Sequence, residues 1–270
     1  GIFGRLITLN EGWIAWYRLL IAAIVMLLFA FITGRLRKVP AKDLYRLAIS
    51  GSLLGLHWLF FYGSIKYANI SVGVICFALT SFFNAILSPL WHRRRISIQE
   101  LALSSLTLAG VALVFGFDSG YRTGILLGVV SSLVGAIYTL TNERLAQQYD
   151  SHTIMLYQMW GGWVGLSLVM PVFLWLVPAG SGIPSGTDLA WLLVLAVVCT
   201  VVMYGLITAS MRHLSSFTVS LTYNLEPVYT IVLAILLYHE NQELNGSFCM
   251  GLGFILLSVL WQMGRVKKQA

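Results

Sequence analysis

The chain has 270 residues, of which 58% are hydrophobic and 10% charged, where an ordinary soluble domain carries about 25% charge. A mean hydropathy of +0.83 excludes a soluble fold, and a bilayer core about 30 Å thick allows roughly nine or ten helical crossings of about 20 residues in this length. The net charge of +7 sits in short loops between apolar runs, which argues against a nucleic-acid-binding face and for positive-inside membrane topology.

The chain opens on Gly1-Ile2-Phe3-Gly4-Arg5-Leu6, helix-like from the start and with no initiator Met, and no cleavable signal peptide is expected. Residues 1–9 are expected to be the outer end of a truncated first crossing. Asn10-Glu11-Gly12 is a turn, and Trp13 to Phe31 the second crossing, opened by the interface aromatics Trp13, Trp16 and Tyr17. A strongly basic loop, Gly34 to Arg46, leads to the third crossing, Leu44 to Ile65. The fourth spans Val72 to Trp91 and ends in the basic loop His92-Arg93-Arg94-Arg95. The fifth is Leu101 to Phe117; the polar break Asp118 to Arg122, with Gly120, is the expected boundary between two halves, 1–118 and 119–270. The sixth runs from Gly124 to about Gln147 and the seventh from Thr153 to Val177. Past a Gly/Pro/Ser loop, Pro178 to Asp188, come the eighth, Leu189 to Met211, the ninth, Phe217 to Tyr238, and the tenth, Ser247 to Gly264. Barrel strands would show alternation of period two, and none is visible. Cys76, Cys199 and Cys249 lie inside apolar runs without metal-like spacing and read as small hydrophobes.

With the N-terminus in the cytoplasm, thirteen of the 17 Lys and Arg residues fall in inside loops and two, Lys66 and Arg122, in outside loops; Arg5 and Arg18 lie within helices. Both termini are therefore expected to be cytoplasmic, in a multi-pass protein of the inner (cytoplasmic) membrane of a bacterium. Five crossings per half is an odd number, so similar halves would have opposite orientations. Ile14 and Tyr17 match Ile154 and Tyr157, Lys66 to Leu90 lies over Arg212 to Leu236 without a gap, and Gln99-Glu100-Leu101 recurs as Gln242-Glu243-Leu244. The expected fold is all-α and integral to the membrane, with ten transmembrane helices as two inverted five-helix repeats, an architecture of transporters.

Three features carry a family resemblance: Trp16-Tyr17-Arg18-Leu19-Leu20-Ile21-Ala22-Ala23, the Leu-Glu-Pro of Leu225 to Pro227, and the twofold five-helix pattern. The chain resembles the drug/metabolite transporter superfamily in its ten-helix form with paired EamA domains. That resemblance implies export of small metabolites, amino acids or xenobiotics. Where the family often has Pro, the first-half equivalent of Pro227 is Ser81, so a symmetric kink is not implied.

Candidate site residues are polar groups at membrane depth, where a charge costs about 2.5–3.5 kcal/mol on insertion scales. On the ninth crossing Thr222, Tyr223, Glu226, Tyr229 and Thr230 share an arc of roughly 120° at 100° per residue, with Leu233 the one apolar intruder. That arc can be a cavity wall or a hydrogen-bonded seam between helices. Glu226 can couple protons, since burial raises a carboxyl, or pair structurally with Arg18. Arg18 can itself snorkel, ion-pair, or bind a substrate carboxylate. His57, Trp58 and Tyr62 in the third crossing, Thr80 and Asn84 in the fourth, Tyr138 in the sixth, Tyr157 in the seventh and Tyr204 in the eighth add polar tips at similar depths. With Tyr223 and Glu226 they form the expected substrate-binding set. Gly51/Gly55, Gly124/Gly128 and Gly161/Gly165 have the spacing of close helix contacts.

HExxH, GxSxG, a Walker A loop and paired cysteines are all absent from the sequence, so no catalytic residue, cofactor or metal is expected. The expected function is secondary transport: export of a small-molecule solute by alternating access, the solute sitting near the midplane among the third, fourth, eighth and ninth crossings. An integral-membrane enzyme using His57 and Glu226, or a non-transporting scaffold, stays open. The expected partners are the solute and the lipid bilayer, not nucleic acid, and self-association into a homodimer also stays open.

Overall fold

The computed structural model describes residues 6–115, 121–177 and 182–226, together with positions 229, 246, 250–251, 253–254, 256–258, 260–261 and 264. Among these the chain is helical. In order the helices are α1 Glu11–Ile32, α2 Ala41–Tyr67, α3 Ile70–Trp91, α4 Ile98–Phe115, α5 Arg122–Ala146, α6 Ser151–Leu176 and α7 Gly186–Ala196. A π-helical segment, Val197–Val202, joins α7 to α8 Met203–Ser210, and α9 Ser216–Thr222 runs into a 3-10 turn, Tyr223–Leu225. Among the described residues six helical stretches are long and apolar enough to cross a membrane: Glu11–Ile32, Ala41–Tyr67, Val72–Trp91, Arg122–Ala146, Ser151–Leu176 and Gly186–Ser210. They coincide with the expected second, third, fourth, sixth, seventh and eighth crossings. The expected fifth forms as an 18-residue helix, α4, and the expected ninth begins as α9. Residues 1–5 of the first crossing, the break at 116–120, the ninth crossing around Pro227 and Thr230, and most of the tenth lie outside the described residues.

Local chemistry sets the helix starts, and some differ from expectation. Asn10 is not part of a free turn: its side chain accepts the Trp13 N–H at 2.9 Å and caps α1, with Glu11 in the first turn against the helix dipole. Inside the expected basic loop, α2 already begins at Ala41, behind Pro40 and with Asp43 in its first turn. Asn69 caps α3 and Asp150 caps α6 in the same way as Asn10 caps α1. The start of α7 precedes the expected Leu189 because Ser185 and Asp188 form a capping box. At the end of α1, Gly34 takes φ +64°, which lets the Arg35 N–H reach back to the Ala30 carbonyl at 3.0 Å.

The chain divides into two compact units, each drawing helices from both sequence halves. One contains residues 3–62 and 141–214. In it α1 packs on α6 and α7, burying Ile14, Ala15, Leu19, Ala22 and Ala23 completely, while Leu28, Phe31 and Ile32 on other faces are more than half exposed. Close approach of α2 and α6 is made by glycines. A Cβ on Gly51 would lie 2.8 Å from the Gly162 nitrogen, and one on Gly162 would lie 3.0 Å from the Gly51 carbonyl carbon. The other unit contains residues 1–2, 63–140 and 215–270. There α3 packs on α4 and α9, and Ala85, Phe217 and Leu221 form a buried core with Leu225 against it. Gly128 lets α5 come against Cys76, whose carbonyl accepts the Ser132 hydroxyl at 2.5 Å.

Candidate functional site

In the first of these units the polar groups converge on Arg18. Its side chain projects from the buried face of α1 and is 5% exposed. The Nε–H donates to Thr200 Oγ1 at 2.7 Å, one terminal nitrogen to Tyr62 Oη at 3.0 Å and the other to the Cys199 carbonyl at 2.9 Å. The guanidinium carbon stands 3.7 Å from the centre of the Trp58 ring. Trp58 is itself fixed, donating its indole N–H to Tyr204 Oη at 3.1 Å and meeting that ring edge-on. Thr200 donates its hydroxyl to the Leu195 carbonyl at 2.9 Å, across the widened π turn. Hydrogen bonds to a charged donor contribute about 1.5–3 kcal/mol each, and a desolvated cation–π contact about 2 kcal/mol or more. Together they offset the cost of holding a guanidinium at this depth. Among the described residues these partners are a hydroxyl, a phenol, a carbonyl and a ring; none is a carboxylate.

Trp58, Tyr62 and Tyr204 thus stand together with Arg18. His57 is buried on the same helix as Trp58 but stacks on Phe61, ring centres 6.1 Å apart. Tyr157 lies apart from them, donating its hydroxyl to the Arg37 carbonyl at 2.9 Å beside the basic loop. A second polar group is built around Gln158 of α6. Gln158 donates to Ser50 at 2.9 Å and to Asn142 at 3.1 Å, and Asn142 donates to Thr208 at 3.1 Å.

In the other unit Asn84 is fully buried and joins three helices, donating to Thr139 Oγ1 at 2.8 Å and to Ser220 Oγ at 2.6 Å. Thr80, one turn earlier on α3, is fully buried as well, as is nearly all of Tyr138 on α5. Tyr223 stacks on Phe77, ring centres 5.2 Å apart. Glu226 is half-buried and closes the 3-10 turn, its backbone N–H donating to the Tyr223 carbonyl. Because a 3-10 turn advances about 120° per residue, the 100° wheel does not hold through Tyr223–Leu225. Thr222 is exposed and Tyr229 is 64% exposed; Thr230 and Leu233 of the expected polar arc lie outside the described residues.

Two features outside the spans complete the electrostatics. Asp150 caps α6; partial burial would raise its carboxyl, but the Thr153 N–H and hydroxyl at 3.0 and 2.8 Å outweigh burial and hold it below the ordinary value. The Tyr149 phenol is held above its ordinary value by its 2.6 Å hydrogen bond to Asp43, then by burial and the same negative charge. Beside them a cavity of about 380 Å³ is lined by Gly34, Arg35, Leu36, Arg37, Asp150 and His152; it touches none of the residues around Arg18. Sequence reasoning missed Asp188, which is buried and binds the Thr8 N–H and hydroxyl at 2.7 and 2.8 Å. The Ser185-x-x-Asp188 spacing is the signal that could have found it. It also missed Thr200 and the Cys199 carbonyl, for which a lone Thr in an apolar run was the only sign.

Comparison with known proteins agrees with this architecture. The profile of the EamA-like transporter family matches residues 1–116 and 122–263. An uncharacterized transporter of Haemophilus influenzae is 26% identical over 93% of this chain and 86% of its own length. A protein of Streptantibioticus cattleyicolor named as a probable terminal-alkyne amino-acid exporter is 23% identical over 57% of this chain and 52% of its own. One solved crystal structure superposes with a TM-score of 0.71 at 15% identity, over 93% of this chain and 88% of that one, a likeness of fold alone. With both stretches matched and six apolar spans in place, the chain belongs to the EamA-like transporter family and is a multi-pass membrane protein of the drug/metabolite transporter group.

Proposed function

We propose that the chain is a secondary transporter that exports small organic solutes (amino acids, metabolites or drugs) across a bacterial inner membrane by alternating access. In this reading ten crossings form two inverted five-helix repeats, 1–118 and 119–270, with both termini in the cytoplasm. The observation that carries it is the polar constellation around Arg18, held inside helices that are otherwise apolar enough to span a bilayer. A charge at that depth is expensive and is characteristic of solute and ion pathways. The amino-acid exporter among the relatives supports amino acids as the first solute class to try. The driving force is a proton gradient acting through Glu226 or the solute's own gradient.

The test is flux in proteoliposomes of the purified chain, with a panel of amino acids, amines, organic acids and drugs, with and without a pH gradient. Uptake or counterflow of at least one class above protein-free liposomes is expected. Absence of both flux and exchange across the whole panel, from protein that is folded and inserted, removes the transporter reading.

A further inference from the structure

We propose that Arg18 is the recognition point for a carboxylate on the transported solute, which assigns the chain to amino acids and other organic acids rather than to amines or uncharged drugs. The inference rests on the solute-transport reading and sharpens it to one chemical class.

Among the described residues no carboxylate pairs with the charge on Arg18. A guanidinium stays protonated at any physiological pH, and Arg18 is 5% exposed. Buried charges are ordinarily paired. Arg46, exposed near the start of α2, and Arg37, in the loop before it, stand 3.1 Å from Asp43 and 3.9 Å from Asp150. Arg18, far more buried, has only neutral partners among the described residues: Thr200, Tyr62, the Cys199 carbonyl and the Trp58 ring. If these contacts served only to tie α1 to α2 and the π segment, a neutral donor would serve with no charge to desolvate.

Geometry agrees with the charge argument. A guanidinium has five N–H donors. The three hydrogen bonds use one on each nitrogen, which leaves one N–H on each terminal nitrogen for the two oxygens of a carboxylate. The guanidinium carbon lies over the Trp58 ring, so that contact takes up none of the N–H donors. Trp58 is pinned by Tyr204 and Thr200 by Leu195, so the fork is held in place before any anion arrives, which lowers the ordering cost of binding. The backbone supplying Thr200 and Cys199 is the π segment Val197–Val202, a geometry that recurs at functional sites. Entry of a carboxylate requires this enclosed edge to open, and alternating access provides such opening.

The experiment uses the full purified chain and matched probes: the standard amino acids and short mono- and dicarboxylates, each beside its amide. Binding is read from the shift of the thermal unfolding midpoint and transport from counterflow in proteoliposomes. At least one carboxylate is expected to stabilise the protein and be transported while its amide does neither. Arg18→Gln should weaken that carboxylate about 10-fold or more, the range for loss of a charge-assisted hydrogen bond. Arg18→Lys, which keeps the charge but not the fork, should fall between and serves as the test if Arg18→Gln does not fold. Amines or amides transported as well as their acids would overturn the inference while leaving the transporter reading intact. Wild-type carboxylate affinity in both Arg18 variants would do the same. No binding and no flux of any probe would remove the transporter reading and this inference with it.

Discussion

Replacing Gly51 by Ala adds one methyl group where two helix backbones meet. Its Cβ would stand 2.8 Å from both the Gln158 carbonyl carbon and the Gly162 nitrogen, and closer still to the Gln158 oxygen. Carbon contacts are at their optimum near about 3.5–4.0 Å, so α2 and α6 must separate locally by roughly 1 Å, and no flexible side-chain tip is available to move instead. Overpacking of this kind costs about 1–3 kcal/mol. Helix propensity returns about 1 kcal/mol for Gly→Ala, so the net expectation is a loss of up to about 2 kcal/mol. The same displacement pulls Gln158 away from Ser50 and Asn142, which adds to the loss. Gly205→Ala is the internal control, because nothing lies within 4 Å of a Cβ at that position and only the propensity gain remains. Thermal unfolding of both variants in detergent should lower the midpoint for Gly51→Ala and leave it unchanged or raised for Gly205→Ala. Equal midpoints for the two would refute glycine-mediated close packing of α2 on α6.

Three other outcomes are expected. Glu226→Gln should abolish proton-driven uptake and spare passive exchange; unchanged dependence on a pH gradient would take Glu226 out of that role. Asn84→Leu should destabilise by about 1 kcal/mol, since its two interhelical hydrogen bonds contribute about 0.6 kcal/mol each inside a membrane, and an unchanged unfolding midpoint would contradict it. The lowered Asp150 carboxyl adds stability that is complete above its unfolded value of 3.8 and is lost as pH falls through the native value below it. Asp150→Asn keeps a competent cap, so stability at neutral pH should hold while this part of the acid loss flattens; an unaltered acid profile would count against it.

The Trp58, Tyr62 and Tyr204 hydroxyl and indole groups were visible as candidates because polar tips in apolar runs are few and each must find a partner. Which of them meet was not visible. Tyr157 and Gln158 are neighbours in sequence, yet one reaches the basic loop and the other the buried seam, since successive helical residues point about 100° apart. An amphipathic wheel could not separate them, because a membrane helix is apolar on its lipid face and its protein face alike.

What the sequence determined by itself was the solvent and the elements that suit it: apolar runs of membrane length, capping residues at Asn10, Asn69 and Asp150, and small residues spaced for close helix contact. These depend on composition and on neighbours a few residues apart. The tertiary structure alone decided the surroundings of Arg18, because its partners Tyr62, Cys199 and Thr200 lie 44, 181 and 182 residues away along the chain. One of those partners is a backbone carbonyl in a π segment, and a carbonyl has no sequence signature. Its direction is set by how the helix is wound against its neighbours.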